Sequence, residues 1–344
     1  AYATRMLDNV IDLSDFPVEK VNATFRNNRR IGLGIMGFAD MLYQLRIPYN
    51  SEKGFETARK VMKLINDASH AESMKIAEEK GCFPNWDISI FGPKGQNVKR
   101  RNSALTTVAP TGSISMLLDC SSGIEPFFAL AYHKIVMSGQ RLSYINPFLE
   151  EELKSQGLYR DDIIDEIEKT GSIQQIEEIP EATKRVFVTA MDIGAEDHIR
   201  MQAAFQEHVD NSISKTVNFP YSATREDVRQ GYVLAWELGL KGCTVYRDGS
   251  RQEQVLNLNK EEAKKEETSK ITEVEIPEAK KEVIIEEIQL PPVAEDRPHA
   301  AVKSVSFNKK DVMKNKKCPE CGETVQIGEG CMLCLSCGFS ACSV

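Results

Sequence analysis

RNSALTTVAPTGSISMLLDCSSGIEP, residues 101–126, is the stretch from which the rest of the chain is read. Its β-branched run at 105–108 predicts a strand that breaks at Pro110 into a turn of small residues, Thr111, Gly112, Ser113 and Ser115. Successive backbone N–H groups in such a turn, with hydroxyls nearby, cradle a phosphate without any net charge. Taken alone, such a segment is more often an ordinary turn. Further on, Cys120 and Glu125 place a thiol and a carboxylate in one tight loop. That carboxylate is either catalytic or, more commonly, a structural hydrogen-bond acceptor.

On either side of this stretch the pattern alternates. A helix is predicted over 51–81, where Ser51 caps, Phe55, Ala58, Met62, Ile65, Ala68 and Ala71 recur at three- and four-residue steps, and Gly81 terminates. Further helices are predicted over 197–212 and 224–238, and strands over 186–189, 216–219 and 243–246. Strands alternating with helices predict an α/β body with a largely parallel sheet. Gly32, Gly34 and Gly37 spell the dinucleotide fingerprint G-x-G-x-x-G, but Asn27, Asn28, Arg29 and Arg30 precede it where a buried strand is needed, and no acidic residue follows a strand about 20 residues on. The glycines are read instead as close-packing positions before a helix that presents Met36, Phe38, Met41 and Leu42. His70, His133, His198, His208 and His299 show no metal-ligand spacing; His198 and His208 are read as packing or surface groups.

The 344 residues suit two or three domains, and 41% apolar with 27% charged residues is the balance of a soluble globular protein. A formal charge of −8 disfavours bulk nucleic-acid binding, and no apolar run approaches the length of a membrane span. The opening AYATRMLDNVIDLSDFP lacks the features of a signal peptide and reads as the middle of a longer protein, so a cytoplasmic fragment or processed product is expected.

The body is expected to end near residue 250. Between Lys260 and Glu287, 16 of 28 residues are charged and aromatics are absent, so 251–317 is expected to be a disordered tether with a reach of about 40 Å. Six of the nine cysteines then fall in the last 27 residues. Two C-x-x-C knuckles, Cys318/Cys321 and Cys334/Cys337, each followed by glycine and separated by 12 residues, predict a zinc ribbon over 318–344. Cys331 and Cys342 are left over. An accessible dithiol on a mobile end is what thiol–disulfide exchange requires, so Cys342 with Cys331 is the expected shuttle, Cys337 being the alternative partner.

The stretch at 101–126, together with RRIGLGIMGFADML (29–42), RMQAAFQEHVDNSISKTVNFP (200–220) and AWELGLKGCTVYRDGSR (235–251), resembles the C-terminal half of ribonucleotide reductase catalytic subunits. APTGSIS, CSSGIEP and the cysteine-rich tail look most like the adenosylcobalamin-dependent, class II form. The resemblance implies the later part of a ten-stranded α/β barrel and assigns substrate phosphate binding to Ala109, Pro110, Thr111, Gly112, Ser113 and Ile114. It further implies ribonucleotide reduction, of di- or triphosphates, by a thiyl radical. A cysteine pair would reduce the 2′ position, the tail thiols would re-reduce the resulting disulfide, and a thioredoxin-like partner would restore the tail. A homo-oligomer is expected of the complete enzyme. The N-x-C-x-E segment that carries the family's radical cysteine is absent from these 344 residues, so the chain alone is expected to be inactive. Two other readings stand beside this one: a class I large subunit with a separate radical-generating partner, and a zinc-ribbon module that grips nucleic acid. The ribbon's lack of any Lys or Arg after Cys318 argues against the last.

Overall fold

The computed structural model covers residues 1–135 and 141–250, and in the tail 317–318, 324, 326–328, 331–333 and 340–342, with backbone alone for 133–135, 141–143 and the tail strands. The expected tether at 251–316 lies outside the described residues. The chain divides into two compact units, Ala1–Thr272 and Glu273–Val344.

The first unit opens with α1 (Tyr2–Leu13), α2 (Glu19–Asn28), α3 (Phe38–Gln44) and α4 (Glu52–Lys80). After α5 (Gly112–Leu117) come an antiparallel hairpin, β1 (Ala131–Ile135) and β2 (Arg141–Ile145), then α6 (Pro147–Ser155), α7 (Asp161–Thr170), α8 (Glu181–Val186) and α9 (Ala195–Gln206). Strand β3 (Thr216–Phe219), α10 (Arg225–Glu237) and β4 (Thr244–Arg247) complete it. β3 and β4 pair in parallel, Thr216 opposite Thr244. Two parallel bridges, Leu33 to Thr106 and Val108 to Ile213, extend the order outward. Four segments therefore run side by side in one direction, at 31–33, 104–108, 213–219 and 244–247. Leu33 N–H donates to Leu105 O (2.8 Å) and Thr107 N–H returns to Leu33 O (3.0 Å). This is the parallel, helix-connected arrangement the alternation predicts.

Local chemistry explains the elements that were anticipated. The Ser51 side chain accepts from Gly54 N–H at 3.0 Å to start α4, and Gly81 ends it at φ 82°. At 29 residues the helix is about 43 Å long. Thr224 and Asp227 form a reciprocal capping box at the head of α10. Gly34 packs as expected, since a β-carbon there would collide with the Thr107 carbonyl oxygen of the neighbouring strand.

Three expectations need correction. The helix predicted over 197–212 ends at Gln206, whose amide donates to Val209 O (3.0 Å) and Asn211 O (2.9 Å), turning the chain into the next strand. Residues 186–189 form no strand: Val186 ends α8, and Thr189 N–H and hydroxyl donate to Asp192 in a tight turn. The strand at 105–108 is held by single-residue bridges on each side rather than by a continuous ladder.

Two apolar cores result. One joins Phe38, Tyr49, Phe55, Met62, Met201 and Phe205 between the sheet and helices α3, α4 and α9. The other gathers Leu130, Leu149, Leu153, Ile163, Ile167 and Phe187 within the region of α6, α7 and α8. In the second unit, β5 (Gln326–Gly328), β6 (Cys331–Leu333) and β7 (Ser340–Cys342) form an antiparallel sheet in that order.

Candidate functional site

A cleft of about 510 Å³ opens beyond the end of the 104–108 segment, between Ser115 and Met116 of α5, the 120–128 loop, Thr216 and Asn218 of β3, and Thr244–Tyr246 of β4. Carboxyl ends of parallel strands are where ligands bind in open α/β sheets. A larger cleft, about 1070 Å³, lies at the opposite strand ends beside Asn28, Ser103, Asp210 and Lys241. Its size does not recommend it, because neither the 109–114 turn nor the 120–126 loop lines it.

The predicted phosphate turn runs directly into the smaller cleft. Thr111 takes a left-handed conformation (φ 54°) and heads α5, yet its hydroxyl does not cap the helix. It accepts from Gly123 N–H at 2.8 Å instead, tying the turn to the 120–126 loop. The first-turn amides of α5 have no intrahelical partners by geometry, and no side chain caps them. Ala109, Pro110, Gly112, Ser113 and Ile114 are exposed and Thr111 is half-buried.

Cys120 and Glu125 both line the cleft. Burial, reinforced by Asp40 and Asp119, pushes the Cys120 thiol up, so it is neutral at pH 7. Glu125 acts as the structural acceptor anticipated for it: Oε1 accepts from Thr216 N–H (2.5 Å) and Oε2 from Lys215 Nζ (2.6 Å). Sequence reasoning missed Lys215. Its ammonium also donates to His198 Nδ1 (2.8 Å) and Thr216 O (3.0 Å), with its side chain fully enclosed. Burial pulls its pKa down while Glu125 pulls it back up. His198, expected to be a packing or surface group, is buried; burial and then Lys215 lower its pKa to about 3. Its Nε2–H therefore donates to Ala190 O at 3.0 Å while Nδ1 accepts. A signal for Lys215 was present: Ile213, Lys215, Val217 and Phe219 alternate along one strand and all four are buried. His70 pairs with Asp210 at 3.2 Å, away from this cleft.

In the tail sheet, Cys331 stands opposite Cys342 in the backbone register. An antiparallel bridge between Lys317 and Thr324 brackets the first knuckle, and Cys318 is buried. Cys321, Cys334 and Cys337 lie outside the described residues.

Residues 1–246 match the family described as "Ribonucleotide reductase, barrel domain". The chain belongs to the ribonucleotide reductase family. Within it, the chain is 47% identical over 272 residues to a vitamin B12-dependent ribonucleoside-diphosphate reductase of Thermoplasma acidophilum, covering 79% of this chain and 35% of that protein. A protein of the same name from Mycobacterium tuberculosis is 44% identical over 255 residues, or 74% of this chain and 36% of that one. The chain thus spans about a third of the length of these ribonucleotide reductases. Among solved structures, a class Id ribonucleotide reductase alpha subunit of Actinobacillus ureae superposes with a TM-score of 0.61 at 26% identity, over 72% of this chain and 44% of that one. Barrel-domain membership agrees with the four parallel segments described above. Among the described residues, no helix is long and apolar enough to cross a membrane.

Proposed function

We propose that this chain supplies the substrate-phosphate turn, one side of the substrate cleft and the reducing tail of a cytoplasmic, homo-oligomeric ribonucleotide reductase that converts ribonucleoside di- or triphosphates to deoxyribonucleotides. The observation that carries the reading is that residues 109–114 lead straight into Ser115 and Met116, which line a nucleotide-sized cleft. In this reading Ala109, Pro110, Thr111, Gly112, Ser113 and Ile114 hold the phosphates through backbone amides, and the apolar walls at Pro126, Phe127 and Val245 exclude water. Radical formation falls to a cysteine outside these 344 residues.

Adenosylcobalamin enters through the relatives' names and supplies the radical when bound. In this reading its contacts fall to the barrel segment that the chain is joined to, and the described cleft takes the substrate. For zinc, the Lys317–Thr324 bridge and the burial of Cys318 support a first knuckle of Cys318 with Cys321, and Cys334 and Cys337 complete the proposed set.

The tail works by exchange. A thiolate of the Cys331/Cys342 pair attacks the active-site disulfide, forming a mixed disulfide and releasing one thiol. The second tail thiol displaces the other, so two electrons move inward and the tail is left oxidised for a thioredoxin-like reductant. The opposed register of Cys331 and Cys342 supports this pairing over one with Cys337, because opposed antiparallel residues lie within disulfide range.

The deciding assay is deoxyribonucleotide formation from ribonucleotides with adenosylcobalamin and a dithiol, using this chain alone and joined to a barrel segment bearing N-x-C-x-E. Product from the joined protein only is the expected result, and product from neither would overturn the proposal.

A further inference from the structure

Two carboxylates and two full cations line the larger cleft, at the amino ends of the strands. The carboxylates are engaged. Glu207 pairs with Arg59 at 2.8 Å, and Asp210 meets His70 through Oδ1 (3.2 Å) and accepts Leu105 N–H through Oδ2 (2.8 Å). The cations are not. Among the described residues neither Arg30 nor Lys241 meets a carboxylate, and the exposed Lys241 ammonium donates only to the main-chain oxygen of Asp210. A third cation lies behind the wall. Arg100 is 4% exposed, and its guanidinium sits 4.1 Å from the centre of the Phe91 ring, which lines the cleft. Its Nε and Nη2 have no hydrogen-bond partner, and Asp210 Oδ2 stands off at 3.7 Å. This is the side-on fork that Arg29 turns on Asp8, with Nε at 3.0 Å and Nη2 at 2.8 Å. Ser103, which lines the cleft, also has a buried hydroxyl without a partner. Its N–H donates to Asn28 O (3.1 Å), which brings it beside Arg30 on the adjacent segment. Buried polar groups are nearly always hydrogen-bonded. What this wall lacks is an acceptor, and the potential left over is positive in a chain whose net charge is −8. The 83–91 loop gives the same cleft an apolar wall, where Ile88 is 85% and Ile90 67% exposed.

We propose that this cleft is a second ligand site, for a small molecule that joins an oxyanion, either phosphate or carboxylate, to an apolar body. Arg30 receives the oxyanion beside Ser103, Arg100 and Lys241 add positive charge, and the body packs on Ile88 and Ile90. A guanidinium is the side chain best matched to either oxyanion, because its planar fork fits both. The site is separate from the nucleotide reading of the smaller cleft and does not rest on it.

Hydrogen–deuterium exchange of the full 344-residue chain tests this, because it reports where a probe sits. The probes are phenyl phosphate and benzoate, which separate a phosphate from a carboxylate source, and inorganic phosphate, which lacks the body. At roughly ten times its dissociation constant, phenyl phosphate or benzoate should slow exchange about tenfold in peptides covering 83–98 and 206–212. Phenyl phosphate should bind about tenfold tighter than inorganic phosphate, as burial of a ring on the apolar wall requires. Arg30 is exposed, so Arg30→Ala keeps the fold and should weaken the bound probe about tenfold. Arg100→Met should weaken it to a similar extent while melting no lower than the wild type, because the charge it removes has no partner to lose. An arginine serving the fold alone would lower the melting point and leave affinity unchanged, which overturns its role. If Arg100→Met does not fold, Arg30→Ala carries the test. No protection at 83–98 or 206–212 with any probe, or undiminished affinity in Arg30→Ala, overturns the proposal, and equal affinities for phenyl phosphate and inorganic phosphate overturn its apolar half. Protection confined to 109–126 puts the probe in the smaller cleft, which overturns this site and leaves the nucleotide reading standing.

Discussion

His198 shows how one buried ring fixes its own chemistry. Its folded pKa of about 3 lies well below the ordinary value of 6.5 because burial and Lys215 both disfavour the imidazolium. The unfolded state therefore binds the extra proton first, and stability falls as pH drops from about 6.5 toward 3. His198→Gln keeps a donor for Ala190 and an acceptor for Lys215 but cannot titrate. Denaturant melts between pH 4.5 and 7 should show the wild type losing up to about 1.4 kcal/mol per pH unit more than the variant. Equal slopes would mean the ring is charged in the folded protein. Cys120 offers a second check at this scale. Its thiol is pushed up by burial, Asp40 and Asp119, so a disulfide exchange reagent at pH 8 should modify it more slowly than a free cysteine. A rate equal to that of free cysteine would place the thiol in open solvent.

At the level of elements, legibility followed the range of the forces involved. Helices α4 and α10 were readable because their caps and periodicity are written within a few residues. Thr224→Ala removes the side-chain half of the capping box, leaving Thr224 N–H on Asp227, and should cost about 1 kcal/mol in thermal or chemical melts, without changing the helix register. The end of α9 was not readable. Nothing in the run from His208 to Ser212 forbids helix, and the stop is imposed when Asn211 N–H bonds to Thr106 O (3.0 Å), more than a hundred residues away in sequence. For Lys215 the strand alternation marks the buried face, but its partners Glu125 and His198 arrive from separate segments. Val186 and Phe187 are β-formers that the second core claimed for a helix end. Gly34 makes the opposite case, a residue whose reason was legible before its neighbour was known. Gly34→Ala should destabilise by roughly 1–3 kcal/mol through overpacking against Thr107, measured as a lowered denaturation midpoint.

On the scale of the whole molecule, the job proposed for the cysteine tail can be isolated from that of the barrel-domain unit. Cys342→Ser should leave turnover of the joined enzyme intact when a small dithiol enters the site directly. It should abolish turnover driven by a protein reductant, and equal rates under both regimes would remove the tail from the electron path. The parallel, helix-connected character of the body followed from the sequence, and the backbone register of the tail sheet sets Cys331 opposite Cys342.

The two cores have a consequence for motion. The region containing α6, α7 and α8 closes on its own apolar centre. It meets the sheet-bearing body through Tyr43 of α3, which joins that core and whose Oη donates to Val188 O (2.8 Å), through Arg46 on Glu152, and through Ala190 N–H donating to Phe127 O (2.8 Å). Such a unit can open as a separate cooperative block, a foldon, at a lower free energy than global unfolding. Phe127 packs against that core and also forms one wall of the cleft. Amides of α6 and α7 should then exchange with deuterium sooner than those in the middle of α4, and a ligand seated against Phe127 should slow them. One wall of the cleft thus also packs against the α6–α8 core, so occupancy and local order there are expected to rise together.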